Sequence, residues 1–320
     1  MDAEAVYYPE NWYAIAETSE VLEGRPLGIR RFGVDLVLWR DSQGKLSVLR
    51  DLCPHRSVKL SAGKVAGDFL QCAFHGFRYD TAGICRHVPE INRAAPGLKV
   101  KTYECREENG FVWLWWGENA APSDRTPVWF AQVRPGMKAS SLAQTWDCTI
   151  TRAIENQLDY AHLPFLHGNT IGRGFDPSRE VRFELAPDGL RFFPDAARGE
   201  AGAWVGFRMP NLWLNKITDR FLLILVFAPV DAGRTKFYLR TYQSFVTFPV
   251  LSGLVTWLLS QTNRLILRQD RAVVETHPAG CTSLCAQEEK LFPSDKGIRH
   301  FRALWGNPAG EREKVYELKR

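Results

Sequence analysis

The chain has 320 residues, 45% hydrophobic and 24% charged, a length suited to two cores and a composition that excludes disordered and fibrous classes. A net charge of +5, with no dense Lys or Arg run to follow a phosphate backbone, excludes nucleic acid as an expected partner. Asp2 and Glu4 stand where a secretion signal would be positively charged, and seven cysteines are too few for a secreted disulfide framework, so a reducing, cytoplasmic compartment is expected.

In chain order, residues 34–116 show short apolar alternations separated by turn signals. Strands are predicted at 34–39, 46–49, 69–74, 77–79, 100–105 and 111–116. Asp41-Ser42-Gln43-Gly44, Thr81-Ala82-Gly83 and Glu108-Asn109-Gly110 are the turns, each with a Gly or Asn that tolerates positive φ. An all-β domain is expected over residues 1–118. Residues 119–135, with Pro122, Ser123, Asp124 and Pro127, lack either hydrophobic period and are expected to be a linker. Over 136–320, strand-like runs at 181–185, 221–230 and 235–248 alternate with helical stretches at 153–160 and 251–276, the pattern of an α+β domain. Residues 241–263 contain no charge, but Gln243, Thr247, Pro249, Ser252 and Gly253 make poor material for a spanning helix. That stretch is read as a strand end followed by a core helix, and no membrane is expected.

Two motifs carry chemistry in the β domain, Cys53-Pro54-His55 and Cys72-Ala73-Phe74-His75, with sixteen residues between His55 and Cys72. Each offers one thiolate and one imidazole. A Rieske 2Fe-2S centre requires that division, because one iron takes two Cys and the other two His, and the neutral imidazoles raise the reduction potential. A structural zinc also accepts Cys and His, though zinc fingers usually place two Cys in one pair and two His in the other.

A second constellation runs from Glu155 to His167 and contains Asn156, Asp159, His162 and His167. On a helix Asp159 and His162, three apart, share one face. Pro164 disfavours continued helix at Leu163, so His167 can return from a turn toward the same point. Two His and one carboxylate form the facial triad of non-haem Fe(II) oxygenases, and the third ligand must come from elsewhere in the chain. Asp159 is placed to accept a hydrogen bond from the other ring nitrogen of His162.

On these motifs the sequence resembles the Rieske ring-hydroxylating oxygenase family. Rieske proteins of respiratory complexes carry an extra Cys beside each pair; here Arg56-Ser57-Val58 and Gly76 follow the pairs, as in the oxygenases. Ser57 stands where family members often have Gly. The resemblance implies an N-terminal Rieske domain followed by a helix-grip (START-like) antiparallel-sheet domain, with a 2Fe-2S cluster held by Cys53, His55, Cys72 and His75. It also implies a mononuclear Fe(II) held by His162, His167 and a carboxylate on a late helix. Asp270 in Gln269-Asp270-Arg271 matches that carboxylate, with Glu275 as the rival on the same helix. Asp159, by the same resemblance, is a catalytic residue that bridges to His75 of a neighbouring subunit, in a head-to-tail ring that is most often a homotrimer.

The activity implied is monooxygenation, by hydroxylation or demethylation, of a small, largely apolar or aromatic molecule with O2. No Gly-x-Gly-x-x-Gly follows a strand and no plant-type Cys spacing occurs, so electrons are expected from a separate NAD(P)H-dependent reductase or ferredoxin. Compact length favours monooxygenation over arene cis-dihydroxylation; a dihydroxylating dioxygenase and a pure Rieske electron carrier stay open. Segments 204–213 and 221–227 are read as sheet core with some members lining a pocket. His87, His277 and His300 are expected at the surface, Cys281 and Cys285 as free thiols, and Trp113, Trp115 and Trp116 as strand core or subunit contact.

Overall fold

A computed structural model describes residues 7–278 and 289–306; Cys281 and Cys285 lie outside the described residues. The chain forms two compact units, Pro9–Val128 and, with Tyr8, Trp129 onward.

The first unit is built from β1 (Asn11–Glu17), β2 (Leu27–Arg31), β3 (Val34–Arg40), β4 (Leu46–Arg50), β5 (Lys64–Ala66), β6 (Phe69–Gln71), β7 (Arg78–Tyr79), β8 (Cys85–His87), β9 (Thr102–Tyr103), β10 (Cys105–Glu108) and β11 (Phe111–Trp116). They form antiparallel sheets in the orders β1-β11-β10, β2-β3-β4-β9 and β5-β6-β7-β8. Two hairpins close on two-residue loops whose central residues both have positive φ: Asn109-Gly110 (+55° and +74°) and Phe32-Gly33 (+54° and +74°). That twist matches the right-handed twist of the flanking strands. Phe32 is an unusual residue for it, and its ring is held by stacking on Trp116 at 4.1 Å and by edge contact with Tyr13 at 5.0 Å. Strand β1 is absent from the sequence expectation because Trp12–Ala16 are buried on both faces, which removes the alternation that marks a half-exposed strand. Trp113 and Trp115 are buried in β11 and donate their indole N–H groups to Glu108 O and Asn119 O, as strand-core tryptophans do.

In the second unit β12 (Lys138–Trp146), β13 (Arg182–Ala186), β14 (Gly189–Phe193), β15 (Trp204–Arg208), β16 (Leu212–Thr218), β17 (Phe221–Asp231) and β18 (Arg234–Gln243) make one antiparallel sheet. Its order is β12-β18-β17-β16-β15-β14-β13, a meander from β13 to β18 with β12 added beside the last strand. With the helices α1 (Ile150–Leu158), α2 (Leu163–Leu166), α3 (Pro249–Val274) and α4 (Lys296–Gly306), this is the expected α+β arrangement. Segments 204–213 and 221–227 fall in β15, β16 and β17 and are mostly buried, as sheet core.

Strand β18 stops at Gln243, five residues short of the expectation. The reason is Gln243 itself, fully buried, whose side chain accepts from Val246 N (2.9 Å) and donates to Ser252 Oγ (2.8 Å), turning the chain into α3. Helix α3 is tied to the sheet edge by hydroxyl and amide pairs, Ser140 Oγ to Ser260 Oγ at 2.7 Å and Asn263 Nδ2 to Thr241 Oγ1 at 2.8 Å. No helix among the described residues is long and apolar enough to cross a membrane. His300 departs from the surface expectation: it is buried, and its Nε2 lies 2.9 Å from Ala186 O and 3.1 Å from Gly189 O, joining α4 to the β13–β14 turn. His87 is half-buried in β8 and His277 is exposed.

Candidate metal centres

In the first unit the two Cys/His motifs occupy loops of matching construction. Cys53 N–H donates to Val58 O and Ser57 N–H to Cys53 O, both at 2.8 Å; Cys72 N–H donates to Phe77 O at 2.8 Å and Gly76 N–H to Cys72 O at 3.1 Å. In each loop the residue four after the Cys takes positive φ, Ser57 at +56° and Gly76 at +71°. The loop geometry that Gly76 adopts freely is therefore imposed on Ser57.

Both loops present buried sulfur and exposed imidazole. Cys53 and Cys72 pack in the core with Val37, Trp39, Leu70, Phe77 and Tyr79, whereas His55 and His75 are exposed, with ring centroids 4.7 Å apart. His55 stacks on Phe77 at 4.6 Å, which fixes its plane. Burial pushes the Cys72 thiol up, the backbone N–H groups of Phe74 and His75 oppose it, and neighbouring Cys53 raises it further. Two sulfurs side by side with amide donors trained on one of them suit thiolates held by a cationic centre. No three ligand atoms of Cys53, His55, Cys72 and His75 fall in a set within 4.8 Å of one another, as the four ligands of one tetrahedral zinc, each about 2.0–2.3 Å from the metal, would. The wider spread fits a two-iron cluster.

Tyr79 went unnoticed in the sequence. Its hydroxyl lies 3.2 Å from Cys53 Sγ, and burial first, then the contact with Cys53, push its pKa up, so the phenol keeps its proton and has it to donate to Cys53 Sγ. The signal was the period of two: Phe77 and Tyr79 share the face that points at the loops.

The second unit brings His162, His167 and Asp270 together, with ligand atoms all within 4.8 Å of one another. The local structure differs from the sequence expectation. Helix α1 ends at Leu158, and Asp159 is its C-cap with ψ of 122°, its N–H donating to Glu155 O. His162 is the N-cap of the separate helix α2, Pro164 lies in that helix's first turn, and His167 is its C-cap. Asp159 and His162 thus do not share a helix face. Pro164 opens a new helix instead of merely ending one, because a first-turn N–H has no intrahelical partner to lose.

Asp270 comes from the last turns of α3 and is almost fully buried, as is His167. Its Oδ1 lies 3.0 Å from His167 Nε2 and 3.6 Å from His162 Nε2. The rival carboxylate Glu275 is engaged elsewhere, accepting from Asp147 N and Arg271 Nε at 2.8 Å each. Asp159 Oδ1 accepts from Ala161 N at 2.7 Å, and its Oδ2 lies 3.4 Å from His162 Nδ1, without hydrogen-bond geometry. Asn156 Nδ2 is buried and has no hydrogen-bond partner among the described residues.

The residue that sequence reading passed over here is Gln269, whose Oε1 lies 2.9 Å from His167 Nδ1. An amide carbonyl accepts, so Nδ1 carries the proton and neutral His167 turns a lone pair on Nε2 toward the Asp270 carboxylate. Burial alone lowers the His167 pKa; the hydrogen bonds to Asp270 and Gln269 and the Asp270 charge outweigh it, and the net direction is up. Two imidazole nitrogens and one carboxylate oxygen facing one point need a proton or a cation between them, and the N,N,O donor set fits non-haem Fe(II). The signal in the sequence was adjacency to Asp270, which does not by itself give a direction.

The Rieske [2Fe-2S] domain model matches residues 11–104. The chain is 32% identical over 201 residues to Protein TIC 55, chloroplastic, of Arabidopsis thaliana, which covers 62% of this chain and 36% of that one; the chain thus spans little more than a third of that relative. It is 29% identical to the methylxanthine N1-demethylase NdmA of Pseudomonas putida, covering 98% of this chain and 97% of the other. Its fold is that of dicamba monooxygenase bound to dicamba, with a TM-score of 0.77, 20% identity and coverage of 94% and 98%. A Rieske [2Fe-2S] domain over residues 11–104, a demethylase relative aligned along nearly the whole chain and a fold shared with dicamba monooxygenase are what this chain has in common with known proteins.

Proposed function

We propose that the protein is the oxygenase component of a Rieske system, using O2 and electrons from a separate NAD(P)H-dependent reductase or ferredoxin to hydroxylate or demethylate a small, largely apolar or aromatic molecule. The observation that carries this reading is the convergence of His162, His167 and Asp270 in the sheet domain of a chain that also holds paired Cys/His loops. An electron carrier would need the loops alone. The relatives support demethylation or monooxygenation: one is named methylxanthine N1-demethylase and another dicamba O-demethylase, oxygenase component.

When bound, the cluster supplies single electrons and the mononuclear iron activates O2. Cys53, Cys72, His55 and His75 would hold the cluster, and Tyr79 would donate to the Cys53 sulfur. His162, His167 and Asp270 would hold the iron. Gln269 keeps the His167 proton on Nδ1 so that Nε2 is free to ligate. Asp159, half-exposed beside His162, would meet His75 of a neighbouring chain in a head-to-tail homotrimer. The domains would run 1–118 for the cluster and 136–320 for catalysis, in the cytoplasm.

The test is anaerobic purification with iron and sulfide analysis and EPR of the reduced protein, for wild type and His162→Ala. A Rieske signal in both, with about one iron per chain lost in the variant, is expected. Full metal loading without a Rieske signal would sink the reading.

A further inference from the structure

Helix α3 is amphipathic in the wrong sense for a core helix. Along its first fifteen residues the side chains it buries are polar, Ser252, Thr256 and Asn263, bonded to Gln243, to the helix's own backbone and to Thr241; buried apolar side chains, Leu267 and Val274, come only in its last turns. The side chains it turns outward are apolar: Val250, Leu251, Leu254, Trp257, Leu258 and Leu265, with Val250 78% and Trp257 57% exposed. These six recur at helical spacing on one stripe. Phe245 and Phe248, in the turn leading into the helix, are also exposed and extend it. An exposed apolar face of this extent, with polar groups used for internal packing, marks a surface that meets another apolar phase.

The charges choose the phase. No acidic residue occurs between Asp231 and Asp270, and none of either sign between Arg240 and Arg264. The apolar stripe is followed on the same helix by exposed Arg264 and Arg268, and Arg220, exposed, is anchored beside Phe245 by a 2.9 Å bond to Ser244 O. The nearby Asp219 is already paired with Lys216 at 2.9 Å. A second copy of the same face would offer these arginines no acidic group, whereas lipid phosphates would. The helix is not long and apolar enough to span a bilayer, so only its side could meet lipid.

We propose that the N-terminal half of α3, with Phe245 and Phe248, is a docking face that seats in the interfacial layer of an anionic lipid bilayer. Trp257 and the leucines enter the acyl boundary, and Arg264, Arg268 and Arg220 meet the phosphates.

The test is flotation of the full-length, metal-loaded protein with phosphatidylcholine vesicles made with and without phosphatidylglycerol. Wild type is expected to rise with the anionic vesicles, and the Leu254→Ser/Trp257→Ser double variant to stay at the bottom. Arg264→Gln/Arg268→Gln is expected to lower partitioning on to anionic vesicles by about tenfold and to leave phosphatidylcholine binding unchanged. The altered side chains are exposed, so the cluster's visible spectrum reports folding. Quenching of wild-type tryptophan fluorescence by bromine-labelled lipids gives a second readout that needs no variant. Wild type that neither floats nor is quenched overturns the proposal, as does flotation indifferent to both variants. Self-association lost in the double variant, without flotation, would assign the face to a second copy and also overturn it.

Discussion

Single residues set the quality of both centres. Gln269 fixes the tautomer of His167 through its Nδ1; Gln269→Leu removes that acceptor, and titration of the metal-free protein is expected to show Fe(II) affinity lower by about 10–100-fold, with the fold intact. Ser57 shows the opposite situation, a side chain that the local backbone resists. At φ +56° it occupies the position that Gly76 fills in the companion loop, so Ser57→Gly is expected to raise stability by about 1 kcal/mol in chemical denaturation, without changing the cluster spectrum. Neither effect follows from residue type alone. A Gln beside a ligand and a Ser after a Cys-x-His are commonplace until the backbone says where they point.

At the scale of elements, α1 and α4 are joined by ion pairs whose central members are buried. Glu155 accepts from Arg152 at 3.1 Å and from Arg302 at 2.6 Å, and Glu289 closes the circuit with both arginines. Arg152 and Glu155 are each buried, so Glu155→Gln leaves an undercompensated guanidinium and is expected to cost about 3 kcal/mol in thermal or chemical unfolding. The pH dependence has a definite sign. Burial raises the Glu289 pKa, but the hydrogen bonds and charges of Arg152 and Arg302 outweigh it and hold it below the usual value. Its stabilising share is therefore present above the ordinary glutamate pKa of about 4.3 and is lost as pH falls through the lower folded value. A stability profile that gains on acidification through that window would contradict the network. Helix α3 has another balance at the same scale, polar pairs inward and apolar side chains outward, which no propensity argument would choose for a buried helix.

For the whole molecule, the prediction that matters concerns assembly. In the proposed head-to-tail trimer, Asp159 would connect centres held by different chains, so Asp159→Asn is expected to leave the sedimentation behaviour and the iron content of both sites unchanged. Product formation in a single turnover from the reduced cluster should slow by about tenfold or more. Equal rates in variant and wild type would remove Asp159 from the bridge. Much of this architecture was legible beforehand, for reasons that differ by residue. Cys53, His55, Cys72 and His75 could be put forward as cluster ligands from the sequence because a Rieske cluster needs one thiolate and one imidazole from each loop, a demand that short spacing expresses directly. His162 and His167 were legible in the same way, whereas Asp270, 103 residues after His167, could be proposed only through resemblance. Strands such as β3 and β11 announced themselves by apolar runs between turn residues; β1, buried on both faces, and β12, an edge strand of small polar residues, did not. What the sequence determined alone was the chemistry of the ligand sets and the division into a β unit followed by an α+β unit. Only the tertiary structure decided that Asp159 caps one helix while His162 opens the next, that Tyr79 and Gln269 reach the two ligand sets, and that α3 exposes Leu251, Leu254, Leu258 and Leu265. These depend on backbone direction and on contacts between residues far apart in the chain, and neither is encoded in local spacing.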